Sequence, residues 1–478
     1  MRIGRCVMLS ALVAGSTGGR RTDGRTNLTD DPRSGGKKRD MESKEAATES
    51  TNSAESQSTG SFTATVARVG EAFAKPAGSF AIRNARRIDA RGVQDHCWLV
   101  VRDGVIVAEG AEIDVEVGGT DDMADAFAKA AGDLPVVGAH GAIMTPGYVD
   151  IHAHGAWGAS FDDGADGIAT ARAGHMVHGT TRQVLSLITN PIDTICENLR
   201  TVRSLMPSRP DILGVHLEGP FLALERKGAH DPECLRDPVP ELVDQLLDAA
   251  DGCLRQITIA PELPHGIDAI KRFAAAGVKP AVGHCSADYQ TAKRAFDEGA
   301  TIMTHMFNAM NGMHHRKPGP IPAAVEDPRV TIELINDGFH VQDPMVALSF
   351  GFAPHRTAFV TDAMAATDCP DGHYLLGALD VNVEHGHARL VSNGAIAGST
   401  LVLERAVSRA VLELGVDPVS AVEAATLTPA RAFGFDHANP VTGAPIGLLA
   451  TGYAADVLLL NPADWHVDSV WCAGRRIR

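Results

Sequence analysis

The sequence is poor in aromatic residues and in positive charge, and it has no long apolar run. Aromatic residues make up 5% of the 478 residues, and the formal net charge is -16 at pH 7. An acidic surface disfavours binding to nucleic acids or anionic membranes, which gain affinity from Lys and Arg. No apolar run reaches the roughly 20 residues that a membrane helix requires. We therefore predict a protein that binds neither nucleic acid nor membrane.

The cysteines lack the spacing of a zinc site or a disulfide framework. They are scattered and include no CxxC pair: Cys6, Cys97, Cys196, Cys234, Cys253, Cys285, Cys369 and Cys472. This pattern is typical of reduced thiols in a reducing compartment. Arg2 and Arg5 precede a brief apolar stretch, as in a signal peptide, but Ser and Gly interrupt that stretch. We expect a cytoplasmic protein.

The first part of the chain has almost no apolar periodicity. Residues 12 to about 75 are rich in Ser, Thr, Gly and charged residues, so they bury too little apolar surface to offset the entropy of ordering. We predict a disordered extension over residues 1–77. Met41 lies inside it, which leaves open where translation starts and whether the extension has a role.

The pattern of apolar and turn residues changes twice along the remaining sequence, which predicts two domains. Residues 78–142 and 386–478 contain short β-rich segments joined by Gly and Asp, and we expect them to form one small β-sandwich domain. Residues 143–385 alternate short apolar strands with amphipathic helical segments. The predicted fold class is α/β: a (β/α)8 TIM-like barrel with a small β-sandwich domain formed by both chain ends.

Potential metal ligands follow several of the predicted strands. Apolar runs end in polar side chains at His152, His154, Glu218, His284, His305 and Asp362. The C-terminal ends of barrel strands converge on one mouth, so these residues are expected to meet there. Imidazole and carboxylate suit zinc and similar divalent ions, and a carboxylate that ends a later strand, Asp362, is a natural general base.

The spacing of the first two histidines strengthens this prediction. One histidine at a strand end, in a chain with 20, is more often a hydrogen-bonded or surface residue than a ligand. His152 and His154, however, are two positions apart, so on a strand both side chains point to the same face. Five donors at successive strand ends favour a metal site.

Seven motifs resemble one enzyme family. They are PGYVDIHAHG, HLEGPFL followed by KGAH, VGHCSA, THMFNAM followed by HHRKPG, INDGFH, VTDAM and AIAGSTL. Their order, spacing and flanking residues are similar to those of N-acetylglucosamine-6-phosphate deacetylases of the amidohydrolase superfamily, from about residue 78 to the C-terminus. The resemblance implies hydrolysis of an N-acetyl-amino sugar 6-phosphate in amino-sugar catabolism.

The resemblance also implies roles for individual residues. Glu218, His284 and His305 would hold the main metal, zinc or iron, and Asp362 would be the catalytic acid and base. His152 and His154 resemble a subgroup that holds a second ion, so the number of ions per subunit, one or two, stays open. Implied substrate contacts are Ala229, His230, Asn308, Ala309, Arg316, Asp337, Gly338, Phe339, His340, Ile396, Ala397 and Gly398. Arg316 would bind the phosphate across the interface of a homodimer.

Several alternatives stay open or carry less support. N-acetylgalactosamine 6-phosphate differs from the gluco sugar at one hydroxyl, and the sequence does not decide between them. A cyclic amidase such as a dihydroorotase also begins with HxH, but it bridges two metals with a modified Lys, where this chain offers Glu218. A non-catalytic scaffold would have lost ligands, and a secreted polysaccharide deacetylase would have no use for a phosphate site.

Overall fold

Residues 61–111 and 121–478 are described by the computed structural model. Their first part contains a helix, an antiparallel meander, a second helix and two short strands. These elements are α1 (residues 61–74), β1 (Phe80–Asp89), β2 (Gly92–Arg102), β3 (Val105–Ala111), α2 (Asp121–Ala131), β4 (Val136–Gly138) and β5 (Ile143–Pro146). At the turn between β2 and β3, Asp103 and Gly104 have φ angles of 48° and 80°. An Asp-Gly pair accepts positive φ readily, which produces a tight hairpin.

The middle of the chain forms a barrel of parallel strands. The strands of this part are β6 (Tyr148–Asp150), the short hairpin β7 (Gly155–Ala156) and β8 (Ala159–Ser160), β9 (Thr180–Ile188), β10 (Ile212–Glu218), β11 (Leu254–Ile259), β12 (Lys279–Val282), β13 (Ile302–Met303), β14 (Thr331–Ile335) and β15 (Thr357–Val360). All except β7 and β8 pair side by side in the order β15-β14-β13-β12-β11-β10-β9-β6. The Asp362 amide, just after β15, donates to the His152 carbonyl, just after β6, over 2.8 Å. The first and last strands therefore meet, as the predicted barrel requires.

Helices surround this barrel because each buries its apolar face against the strands. They are α3 (Gly164–Val177), α4 (Ile192–Leu205), α5 (Pro240–Ala250), α6 (Gly266–Ala275), α7 (Tyr289–Asp297), α8 (Ile321–Glu326) and α9 (Asp343–Phe352). In α5, Pro240 occupies the first turn, where its missing N–H costs nothing, and Val243 and Leu246 are buried. The Asp288 carboxylate caps α7 by accepting from the Thr291 amide over 2.8 Å.

The last part of the chain adds a three-stranded sheet, three helices and three strands. They are β16 (Gly372–Leu376), β17 (Leu379–Glu384), β18 (His387–Leu390), α10 (Leu403–Leu412), α11 (Pro418–Ala425), α12 (Leu427–Ala432), β19 (Val457–Leu460), β20 (Val467–Cys472) and β21 (Arg475–Arg476). The apolar residues of β16–β18 pack on Ile188, Ala229 and Met364. This sheet therefore lies over the end of the barrel where the strands finish.

Strands from both chain ends form the predicted small β-domain. They pair in the order β21-β20-β19-β5-β1-β2-β3, and β4 pairs with the beginning of β1 along the edge that β5 occupies further on. Apolar side chains from both halves of this sheet share one core, including Ile82, Leu99, Met144, Val457 and Trp471. The predicted fold class, a barrel with a small β-domain built from both ends, is confirmed.

Two predicted segments contain elements of another kind. Residues 61–74, predicted as disordered, form α1, because Val69 is buried and Phe62 packs against the main core. Residues 403–432, predicted as part of the small β-domain, form α10–α12, which pack on the barrel strands β6, β14 and β15. The rest of the predicted extension, residues 1–60, lies outside the described residues. None of the described helices has the length and apolar character needed to cross a membrane.

Candidate metal and active site

The six predicted strand-end residues meet at one end of the barrel. His152 and His154 follow β6, Glu218 ends β10, and the other three lie two residues beyond β12, β13 and β15. Two overlapping groups have ligand atoms within 4.8 Å of one another: His152, His154, Glu218 and Asp362 in one, and Glu218, His284 and His305 in the other. All six are buried. The parallel strands thus bring together residues from five segments of the chain.

Glu218 lies between the two groups of donors. Its Oε1 is 3.1 Å from the Nε2 atoms of both His284 and His305, and these two nitrogens are 2.9 Å apart. Its Oε2 is 3.1 Å from Nε2 of His154, and Oδ1 of Asp362 is 3.4 Å from the same nitrogen. The Glu218 carboxylate can therefore contribute one oxygen to each group.

The hydrogen bonds on the far side of the rings assign their tautomers. His284 Nδ1 lies 2.8 Å from the Arg226 carbonyl, and His152 Nδ1 lies 3.0 Å from Glu333 Oε2. When a cation takes the place of the second ring proton, each Nδ1 donates to its acceptor and each Nε2 presents a lone pair to the centre. The lone pairs of His284 and His152 converge with the oxygens of Glu218, and this arrangement fits a bound cation.

Burial and charge act in opposite directions on the pKa values of these groups. Burial raises the pKa of Glu218, but His152 and His284 outweigh it and hold that pKa well below its usual range. Burial also raises the pKa of Asp362, but His152 and His154 hold it low. For His154, burial lowers the pKa and the two carboxylates raise it to about 9. The negative charge that raises the histidine pKa also attracts a divalent cation.

A second layer of buried polar groups orients the ligands. Glu333 accepts from His152 Nδ1, from Gln256 Nε2 over 2.7 Å and from the His305 amide over 3.2 Å. His216, whose ring lies 4.6 Å from that of His152, bonds Ser186 and a threonine hydroxyl. Burial holds the pKa of His216 well below its usual value, so this ring is neutral. Such contacts fix ring orientation and are typical of metal sites.

A cavity of about 340 Å³ opens beside the ligands, and most of the predicted substrate contacts line it. The predicted substrate contacts that line the cavity are Ala229, His230, Asn308, Ala309, His340, Ile396 and Gly398. Five of the predicted metal-binding and catalytic residues also line it: His154, Glu218, His284, His305 and Asp362. The Nε2 atom of His230 is 3.4 Å from Oε2 of Glu218, and burial lowers the pKa of this histidine to about 4. His230 is therefore neutral and can donate a hydrogen bond into the cavity.

The other predicted contacts do not line the cavity. Asp337 bonds the lining residue His340, with 2.6 Å between Oδ2 of Asp337 and Nδ1 of His340. Gly338 lies beside Arg409, Phe339 packs on His387, and Ala397 is buried under the three-stranded sheet. Arg316 is exposed on the loop between β13 and α8. These five residues are not brought to the cavity surface within this chain.

Six further lining residues were not predicted: Ile188, Glu225, Arg226, Gly228, Leu376 and Ala395. Arg226 is the one Lys or Arg among the residues that line the cavity. Its Nε donates to the Ser286 hydroxyl over 3.3 Å, and its Nη2 donates to the side-chain oxygen of Asn311. The signal that could have found it is its place between two motifs, HLEGPFL and KGAH.

Comparisons with known proteins agree with the motifs. A model of the amidohydrolase family matches residues 143–477. The chain is 35% identical to an N-acetylgalactosamine-6-phosphate deacetylase of Escherichia coli O157:H7, over 70% of this chain and 87% of that protein. It is 32% identical to an N-acetylglucosamine-6-phosphate deacetylase of Vibrio furnissii, over 70% and 82%.

Solved structures give the same result. The crystal structure of N-acetyl-D-glucosamine-6-phosphate deacetylase from Mycobacterium smegmatis has a TM-score of 0.74 and 35% identity, covering 84% of this chain and 100% of that chain. The corresponding enzyme from Pasteurella multocida has a TM-score of 0.74 and 26% identity, covering 84% and 99%. The resemblance predicted from the motifs is confirmed.

Proposed function

Because the chain belongs to the amidohydrolase family, we propose that it hydrolyses N-acetyl-D-glucosamine 6-phosphate to D-glucosamine 6-phosphate and acetate, in amino-sugar catabolism. The observation that carries this proposal is the convergence of His284, His305 and Glu218 beside Asp362, at the wall of a sugar-sized cavity. A cavity of about 340 Å³ is large enough for one hexosamine phosphate.

Glu218, His284 and His305 would hold a divalent cation, zinc or iron, and His152 and His154 with Asp362 would hold a second ion where two bind. Imidazole and carboxylate ligands suit both metals. When bound, such a cation supplies the positive charge that acidifies water and polarises the acetyl carbonyl.

The remaining steps fall to side chains of this chain. Asp362 is ionised at neutral pH, so its carboxylate takes a proton from the attacking water. The C–N bond of the amide breaks as Asp362 returns this proton to the departing amine, leaving acetate and the free amino sugar. Neutral His230 donates a hydrogen bond to the acetyl oxygen as negative charge develops on it.

The sugar phosphate would be held at the rim of the cavity. Asn308 and Ala309 line the cavity and would contact the phosphate, and Arg226 supplies a positive charge from the same chain. Arg316, on its exposed loop, would reach the phosphate of a second subunit in a homodimer, and Asp337 would act by orienting His340. The unpaired cysteines of the described part of the chain support a reducing, cytoplasmic setting.

Acetate release by the purified protein tests the proposal. The substrates are N-acetylglucosamine 6-phosphate, its galacto epimer and unphosphorylated N-acetylglucosamine, each before and after chelation. We expect chelator-sensitive release from the gluco phosphate and little from the unphosphorylated sugar. Faster release from the galacto epimer would assign the chain to the activity named for its Escherichia coli relative. No acetate from any substrate, with zinc or iron added, would disprove the deacetylase function.

A further inference from the structure

Two loops that carry metal-site residues are joined along their length. The segment 152–158 contains His152 and His154, and the segment 362–368 begins with Asp362. Five backbone hydrogen bonds connect the segments, from Asp362 to His152, from His154 and Gly155 to Ala363, from Trp157 to Thr367 and from Gly158 to Ala365, over 2.7–3.0 Å. The relative position of the histidines and Asp362 therefore depends on this pairing.

The side chain of Trp157 connects the two loops at the end farther from the histidines. Its indole Nε1 donates to Oδ2 of Asp368 over 2.8 Å, so the ring joins the last residue of one segment to the other segment. Trp157 has a φ angle of 55°, which is unfavourable for a residue with a bulky side chain. A strained residue persists only where its surroundings hold it.

Two helices pack against the Trp157 ring. Helix α3 approaches closely at Gly174, where an added Cβ would lie 3.1 Å from the indole. Phe62 of α1 stacks on the indole with ring centroids 4.3 Å apart and an interplanar angle of 10°. Trp157 is 8% exposed. Removal of Phe62 would leave one face of the indole without its packing partner.

We propose that Phe62 is a positioning residue for the metal site: by stacking on Trp157, it keeps the loops 152–158 and 362–368 paired and so keeps His152 and His154 beside Asp362. This inference rests on the metal site of the proposed function but not on its substrate. Retention of an ion at the group formed by His152, His154, Glu218 and Asp362 is therefore the property that Phe62 controls.

The experiment measures how fast the zinc-loaded, full-length protein loses its metal to a chromogenic chelator. Phe62→Ala removes the stacked ring and is expected to release metal about 10-fold faster than the unsubstituted protein, the size of effect typical of groups behind metal ligands. Phe62→Tyr keeps the ring and is expected to restore the slow rate. Phe62→Leu, which keeps a branched apolar side chain without the flat ring and is likewise expected to release metal faster, takes the place of Phe62→Ala if that variant does not fold.

Phe73→Ala is the matched control. Phe73 lies at the other end of α1. Its ring packs on the Arg209 guanidinium, 5.1 Å away, and Arg209 lies outside the paired loops. Fast release from Phe62→Ala with slow release from Phe73→Ala would support the inference. Equal release from both variants would overturn it. Equally fast release would be explained by loosening of α1 alone, and equally slow release would show that the stacked ring does not affect metal retention. Failure of the unsubstituted protein to retain zinc would instead disprove the proposed metal site.

Discussion

At the scale of single residues, the proposed acid and base role of Asp362 can be tested directly. Its carboxylate lies 3.4–3.5 Å from the Nε2 atoms of His154 and His152 and also lines the cavity. Asp362→Asn keeps the size of the side chain and removes its ability to take up a proton. We expect kcat to fall about 10³-fold, with the ion held by Glu218, His284 and His305 retained in the purified protein. Equal activity in both proteins would rule out the acid and base role.

Arg226 makes a second prediction at this scale. Its guanidinium is held by Ser286 and Asn311, both uncharged, and none of the described carboxylates forms an ion pair with it. Its charge is therefore available to a phosphate. We expect Arg226→Gln to raise KM for the phosphorylated sugar roughly 10- to 100-fold, with little change for the unphosphorylated sugar.

Arg236→Gln is the control for this variant. Arg236 is an exposed arginine ten residues further along the chain that does not line the cavity, and its Nη1 bonds backbone carbonyls of its own loop. Kinetics of both variants on both sugars check the prediction. Equal loss of activity on both substrates after Arg226→Gln would mean that the side chain supports the loop and not the phosphate.

The sequence predicts the strand-end residues better than the residues of loops. His152, Glu218 and Asp362 could be found because parallel strands place their C-terminal ends at one mouth whatever the loops do. Arg226 comes from a short 3-10 turn between β10 and α5, and no periodic pattern marks the direction of its side chain. Whether a loop residue such as Arg316 reaches its own site depends on the path of the loop, which local sequence does not determine.

Helix α1 shows the same contrast at the scale of elements. It follows a long polar tract, but Phe62, Val66, Val69 and Phe73 are spaced at intervals of three and four residues, as on one face of a helix. Composition predicted disorder because the window included the polar residues before it. The apolar spacing of these four residues is the signal that identifies α1.

Substitution of Val69 tests how much helix α1 contributes to the free energy of unfolding. It is 2% exposed and belongs to the main hydrophobic core, whereas its neighbour Arg68 points to solvent. Val69→Ala is expected to lower the free energy of unfolding by about 2 kcal/mol, since it removes two buried methyl groups and leaves a small cavity. Arg68→Ala is expected to change it by less than about 0.5 kcal/mol. Urea unfolding of both variants measures the difference, and equal midpoints would show that α1 adds no stability.

At the scale of the molecule, a chain of charged groups joins the barrel to the small domain. His178, at the end of α3, lies between Oδ2 of Asp368 at 3.2 Å and Oε2 of Glu404 at 2.6 Å. Glu404, in α10, also accepts from the Val467 amide of β20 and lies 2.7 Å from His466. Burial lowers the pKa of His178, but the two carboxylates outweigh it and raise the pKa to about 9.

This raised pKa predicts a loss of stability at alkaline pH. The unfolded histidine titrates near 6.5, so the stabilisation is complete below about pH 6.5 and disappears as the pH rises through about 9. We expect the thermal midpoint to fall across this interval, and His178→Gln to start lower at pH 6 and fall less. Parallel curves for the two proteins would show that another group controls the alkaline loss.

The proposed homodimer predicts complementation between inactive chains, because Arg226 and Arg316 would serve different sites. In a mixed dimer of Arg316→Gln and Asp362→Asn chains, one site combines the intact Asp362 of the first chain with Arg316 of the second. Random assembly makes half of the dimers mixed, each with one intact site, so co-expression is expected to restore about a quarter of the unsubstituted activity.

The pair Arg226→Gln and Asp362→Asn is the control for complementation, since Arg226 lines the cavity of its own chain together with Asp362. Every site of a mixed dimer then carries one of the two substitutions, and activity on the phosphorylated sugar should not be restored. Acetate release and the mass of the doubly tagged, co-purified species test both pairs. Restoration by neither pair would place the action of Arg316 within its own chain or away from the phosphate, whereas restoration by the first pair alone requires that a site be completed by two chains.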